Sequence, residues 1–205
     1  MNTQEYLTTP ETVLPRELAY GVLRVADAPR APHQRVVLEL LLALAAFVRE
    51  RHLGEVLPAP IDVILDFDGA LVVQPDIVFV SSGRAQIVAD QILGAPDLVV
   101  EVLSPHPRIG QLAERVGWFA RYGVRECWLA DLAARRIAVL GLGPEGVRER
   151  TRYEDRSPIL PGCCLISCSH RSASSVGSLR FNHRKQDARG PLCVVKDRID
   201  GRDQS

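Results

Sequence analysis

Lysine is almost absent from this chain. Its 205 residues include only Lys185 and Lys196, so every permanent positive charge in residues 1–184 belongs to an arginine. That excludes a lysine base from this stretch, because a guanidinium keeps its proton to about pH 12 and beyond. Aromatic residues are scarce too, at 5% against 46% hydrophobic residues, which leaves a core of valine, leucine, isoleucine and alanine. Net charge is zero, from 25 basic and 25 acidic residues, so the global basic signature of many nucleic-acid binders is missing. The longest apolar run, residues 36–48, is interrupted by Glu39 and falls short of a bilayer span. No basic segment followed by an apolar one opens the chain, so no signal peptide is expected. Five cysteines, an odd number without framework spacing, speak against a disulfide scaffold and fit a reducing compartment. The expectation is a cytoplasmic protein with no membrane partner, of a length that suits one domain of moderate size.

The zero charge conceals two unlike parts. Residues 1–168 carry 17 arginines against 21 acids, whereas residues 169–205 carry 8 basic against 4 acidic residues. From Cys163 onward the text is serine-rich and basic, with neither a helical nor a strand period. We expect a domain over residues 1–162 and a disordered tail over 163–205, too poor in apolar residues to join a core. Cys163, Cys164, Cys168 and His170 match no zinc-finger spacing, and no second pair follows them, so no zinc site is assigned. The abrupt change after Pro161-Gly162 raises one hypothesis, an altered reading frame, which sequencing of the locus would test.

Along the domain, residues 3–7 read as a helical turn or two, and residues 17–25 as a short strand pair turning near Gly21. Pro29 and Pro32 close a loop. Residues 33–51 form the clearest helix, apolar nearly all round and therefore expected to be buried, with Gly54 as its C-terminal cap. Residues 61–67 alternate as a strand, and residues 71–80 follow as a strand kinked or placed at an edge by Pro75. A strand over 98–103, a helix over 110–122 capped by Gly123, and strands over 126–131, 135–140 and 147–153 complete the pattern. The fold class is α/β in the mixed α+β sense, with one mixed sheet flanked by helices.

Two stretches share a grammar that points to chemistry. In Ala95-Pro96-Asp97-Leu98-Val99-Val100-Glu101-Val102-Leu103, alternation places Asp97, Val99, Glu101 and Leu103 on one side. Glu101 therefore points into an apolar layer, where an unpaired carboxylate costs several kcal/mol, roughly the penalty for burying a charge without a partner. Gln74-Pro75-Asp76-Ile77-Val78-Phe79-Val80 repeats the Pro-Asp opening, and Asp76 lies 25 residues before Glu101. A carboxylate at one strand mouth and another inside a neighbouring strand form the skeleton of a site for a hard divalent cation. The spacing alone also fits a plainer account, in which Asp76 and Asp97 are turn residues and Glu101 pairs with an arginine.

Several segments, taken in order, carry a family resemblance. They are Glu17-Leu18 with Gly21, His33-Gln34-Arg35-Val36-Val37, Gln74-Pro75-Asp76, residues 96–105, and Tyr122-Gly123-Val124-Arg125-Glu126-Cys127-Trp128. From about Thr3 to Gly162 the chain resembles the Uma-two family of restriction endonucleases, a branch of the PD-(D/E)XK nuclease superfamily. The resemblance implies a restriction-endonuclease-like core in which Asp76 and Glu101 hold Mg2+ or Mn2+. It also implies DNA as partner and substrate, with homodimers formed to cut both strands. It places Glu17 as a third acid, His33 near a phosphate or a metal-bound water, and Arg115 at the position of the family's lysine.

The chain departs from that pattern at two points. Arg115 keeps the positive charge of the lysine but cannot act as a base at neutral pH. Gln111 stands where the family tends to carry an acid. The reading is therefore a magnesium-dependent DNA endonuclease of reduced activity. The alternative is a catalytically inactive nuclease-fold protein that binds nucleic acid or self-associates. Trp118 and Trp128 are read as packing residues rather than base-stacking platforms.

Overall fold

The computed structural model describes residues 1–10, 12, 14–103, 111–154 and 197–198. Near the N-terminus, Asn2 accepts from the Glu5 backbone N–H while the Glu5 side chain accepts from the Asn2 N–H. This reciprocal cap starts the short helix α1 (Thr3–Leu7). Strands β1 (Arg16–Ala19) and β2 (Val22–Val25) pair antiparallel across Tyr20 and Gly21, both at positive φ, as a two-residue hairpin of right-handed twist requires.

The long helix α2 runs Ala31–Glu50, two residues earlier than expected, because Pro32 sits in its first turn instead of closing the loop. A first-turn proline removes an N–H that would have had no partner. Gly54 does not cap α2. His52 takes the left-handed conformation there, and Gly54 opens β3 (Gly54–Pro58), a strand not expected from the sequence. Then come β4 (Val63–Asp66), β5 (Leu71–Val73), β6 (Ile77–Ser81), a 3-10 segment (Ser82–Ile87), β7 (Ile92–Leu93) and β8 (Leu98–Leu103). Helix α3 (Leu112–Tyr122), which ends on Gly123 at φ 100, leads into β9 (Glu126–Asp131), β10 (Arg136–Gly143), β11 (Gly146–Glu154) and β12 (Asp197–Arg198). The proposed tail, 163–205, lies outside the described residues except for 197–198.

The mixed α+β class holds, but the single expected sheet is two. One has five strands in the order β2-β1-β5-β4-β7; the other has seven, β12-β11-β10-β9-β8-β6-β3. The residues read as one kinked strand, 71–80, are β5 of the first sheet and β6 of the second. Proline cannot donate to a ladder, and the chain changes sheets across Gln74-Pro75-Asp76. In the second sheet β8 pairs antiparallel with β6 and parallel with β9.

Three apolar layers result. On one face of the seven-stranded sheet, Leu40, Leu44, Phe47 and Val48 of α2 pack on Ile77, Phe79, Leu98, Val100 and Trp128. On the other face, Val116, Phe119 and Ala120 of α3 meet Val78, Val99 and Cys127, together with Val63, Leu71 and Val73 of the five-stranded sheet. Helix α1 covers the outer side of that smaller sheet, where Tyr6 packs with Leu18, Ile64 and Val72. Helix α2 is not buried all round as expected: Leu38 is 52% and Leu42 59% exposed. The sequence reading also found no stretch of membrane-spanning length, yet with Pro32 included α2 is long and apolar enough by length and composition to span a bilayer. Its inner stripe is packed against the sheet.

Candidate active site

The change of sheets at Pro75 positions the first carboxylate. Asp76 immediately precedes β6, whose register pairs Ile77 with Val100 of β8. One step further along an antiparallel ladder, Asp76 comes opposite Glu101, and directly opposed residues have Cβ atoms about 4.5–5.5 Å apart. Alternation puts Asp76 on the side of Val78 and Glu101 on the side of Val99, so both belong to the face that α3 covers. The Val102 N–H donates to Asp76 Oδ2 at 2.7 Å and fixes that side chain across the two strands.

Arg115, at the close of the first turn of α3, is the hub of the cluster. Its Nε donates to Glu101 Oε1 at 2.7 Å and its Nη1 to Glu17 Oε2 at 2.6 Å. Glu17 comes from β1 of the other sheet and is 2% exposed; its Oε1 accepts from the Gln74 N–H at 2.6 Å. The guanidinium also lies 5.6 Å from the centre of the Phe119 ring. Burial pushes the Glu101 carboxyl up to about 7; Asp76 and Glu17 push the same way, while Arg115 opposes them. Burial disfavours the charge on Arg115, but Glu101 and Glu17 outweigh it and hold the guanidinium pKa above its usual value.

His33 reaches Asp76 from the first turn of α2, with Nε2 3.3 Å from Oδ2. Hydrogen bonding to Asp76 raises the imidazole pKa against the opposing effect of burial, and the charges of Asp76 and Glu101 add to the rise. The buried Nδ1 has no hydrogen-bond partner among the described residues. All five residues expected at the site, Glu17, His33, Asp76, Glu101 and Arg115, thus lie in one electrostatically coupled cluster.

Asp97, the other Pro-Asp carboxylate, does not join them. It sits four residues before Glu101, about 13 Å along an extended strand. Fully buried there, it accepts from the Ser81 N–H at 2.8 Å and from Arg84 at 3.2 Å. It fastens the end of β6 and the 3-10 segment to the start of β8, as a buried, ion-paired carboxylate rather than a plain turn residue.

The sequence reading missed three residues that brace the cluster. Gln74 Nε2 donates to Asp62 Oδ1 at 2.9 Å, and the Tyr6 hydroxyl lies 2.9 Å from the same oxygen. With its N–H on Glu17, Gln74 therefore ties the site to α1. Its place in the Gln74-Pro75-Asp76 motif was the only signal available. Glu126, buried in β9, was also unforeseen; it accepts from Trp128 Nε1 at 2.5 Å.

The donor set suits a hard divalent ion. Such ions take a few carboxylates and complete their shell with water and phosphate oxygens. Asp76 is held beside the Glu101 strand by the Val102 N–H, and each acid already meets a basic side chain, His33 and Arg115 respectively. Among the described residues no group of three or more histidine, cysteine or acidic side chains is arranged to hold a metal ion, so the candidate ligands are Asp76 and Glu101 alone.

Comparison with known proteins agrees with this architecture. A family model described as "Uma2: Putative restriction endonuclease" matches residues 3–167. Among solved structures, one from Anabaena variabilis, described as "a putative nuclease belonging to DUF820", superposes with a TM-score of 0.66. It is 19% identical in sequence, and the match covers 84% of this chain and 94% of that one. No curated protein matches the chain significantly. On the extent of the family match, the chain belongs to the Uma2 family, and its fold is restriction-endonuclease-like.

Proposed function

We propose that the protein is a divalent-metal-dependent endonuclease that hydrolyses DNA phosphodiester bonds slowly. The observation that carries this reading is the placement of Asp76, immediately before β6 and bonded to the Val102 N–H, beside Glu101 of the adjacent antiparallel β8, within a cluster of three acids. Asp76 and Glu101 would hold Mg2+ or Mn2+. When bound, such an ion lowers the pKa of water and offsets charge developing on a phosphoryl oxygen.

The other side chains set the limits of the reaction. Arg115 orients Glu101 and Glu17 but takes up no proton at neutral pH. His33 is a group able to hold or pass a proton, at Nε2 beside Asp76 Oδ2. General-base assistance is typically worth about 10² to 10⁴ in rate, so the loss of the family's lysine makes slow turnover the expectation. The endonuclease-like domain is assigned to residues 1–162, acting on DNA in the cytoplasm, with dimerisation supplying the second cut.

Plasmid nicking with and without Mg2+ tests the reading. The natural protein should nick slowly and only with the metal, Arg115→Lys should nick faster, and Asp76→Ala should be inactive. Metal-independent DNA binding without cleavage in all three proteins would instead favour the binding-module alternative. That alternative draws on the double engagement of Arg115 by the two glutamates.

A further inference from the structure

Arg115 is bound more tightly than a residue that only orients a neighbour needs to be. Its fork meets two carboxylates from different sheets, at 2.6 Å and 2.7 Å, and only 7% of the residue is exposed. Neither anchor can follow the guanidinium elsewhere, because Glu17 is held by the Gln74 N–H and Glu101 sits within β8. Three carboxylates crowded into one layer would repel each other strongly if nothing positive lay between them. Arg115, helped by His33 at Asp76, already supplies that charge from within the chain.

We infer that Arg115 is a tethered counter-cation that closes the site in the metal-free protein, so that a divalent ion binds Asp76 and Glu101 only by competing with the guanidinium. This rests on the metal-site reading above and adds its regulation: occupancy is set by how firmly the arginine is clamped. A carboxylate site awaiting its ion is normally stabilised by the ion, since ligands that bind only the folded state add to its stability. Here the compensating charge comes with the fold. Lysine in the same place is a single point charge on a flexible stem and cannot engage both carboxylates with a planar fork. It would yield to an incoming ion more readily.

The test uses Mn2+ alone, without DNA. Binding is followed by the electron paramagnetic resonance signal of free Mn2+, and thermal unfolding is measured in EDTA and in millimolar Mn2+. The natural protein should bind Mn2+ weakly and melt at the same temperature in both solutions. Arg115→Lys should bind on the order of tenfold more tightly, the scale of one lost hydrogen bond between charged groups. Arg115→Gln should melt lower in EDTA and recover when Mn2+ is added; this arm remains informative even if that variant is only marginally folded. Equal Mn2+ affinity in the natural protein and Arg115→Lys would overturn the inference, as would a large rise in melting temperature when Mn2+ is added to the natural protein. Cleavage assays on the same samples keep the two claims apart. Nicking with unchanged Mn2+ affinity sinks the counter-cation alone, whereas tighter Mn2+ binding without any nicking sinks the nuclease reading alone.

Discussion

Glu101 and Glu126 are carboxylates of neighbouring strands, both drawn out of water, in different company. Glu101 has an arginine, whereas Glu126 has a neutral donor, Trp128 Nε1, and more distantly the like charge of Glu149. Burial raises the Glu126 pKa first of all, the tryptophan bond only partly offsets it, and Glu149 adds to it. The sign follows from the direction. A group whose folded pKa lies above its unfolded value contributes its full stability below the unfolded pKa, and that contribution is lost as pH rises through the folded pKa. Glu126→Gln keeps an acceptor for Trp128 and removes the ionisation. It should therefore melt a few degrees higher than the natural protein at pH 8 and close to it at pH 4. On the scale of a domain this size, about 2–4 °C corresponds to 1 kcal/mol. A melting series across pH that runs parallel for the two proteins would show that Glu126 does not titrate with folding.

Among the elements, β3 leans on a single glycine. Gly54 adopts φ 151, and a Cβ there would lie 2.1 Å from the Val80 carbonyl oxygen of β6. Gly54→Ala should destabilise the protein by more than about 1 kcal/mol in urea denaturation, the usual ceiling for compatible glycine replacements. An unchanged midpoint would mean that β3 does not pack as closely as described. The same strand shows what pattern reading cannot reach. Strand β8 was legible because an unbroken Leu-Val run between prolines has few other solutions, and the β1–β2 hairpin because Gly21 marks its turn. Strand β3 is short, lies at a sheet edge and is exposed at both ends, so neither period nor composition marks it. That β5 and β6 belong to different sheets depends on which strands each one pairs with, β1 and β4 for the first and β3 and β8 for the second. The acids Asp76 and Glu101 stood out through their Pro-Asp setting and apolar surroundings, and the family resemblance added Glu17, His33 and Arg115. Gln74, Asp62 and Tyr6 did not stand out, because their bonds join positions 12 and 56 residues apart.

At the scale of the molecule, the N-terminal residues belong to the core. Tyr6 is fully buried, Thr3 Oγ1 donates to the Phe67 carbonyl at 2.6 Å, and the terminal ammonium meets the Gly21 carbonyl at 2.7 Å. Tyr6→Ala should cost about 3–5 kcal/mol, as for other large buried rings, and Tyr6→Phe only about 1 kcal/mol for its hydrogen bond. Urea unfolding followed by the fluorescence of Trp118 and Trp128 separates the two; equal, small losses would place α1 outside the cooperative unit. The crossing at Gln74-Pro75-Asp76 reaches further still. Three consecutive residues leave one sheet, grip its glutamate through Gln74, and present an aspartate to the glutamate of the other sheet. Chimeras assembled from two relatives would therefore be heard first at this seam. A breakpoint there takes Glu17 from one parent and Glu101 from the other, and asks a single arginine to reconcile two ancestries.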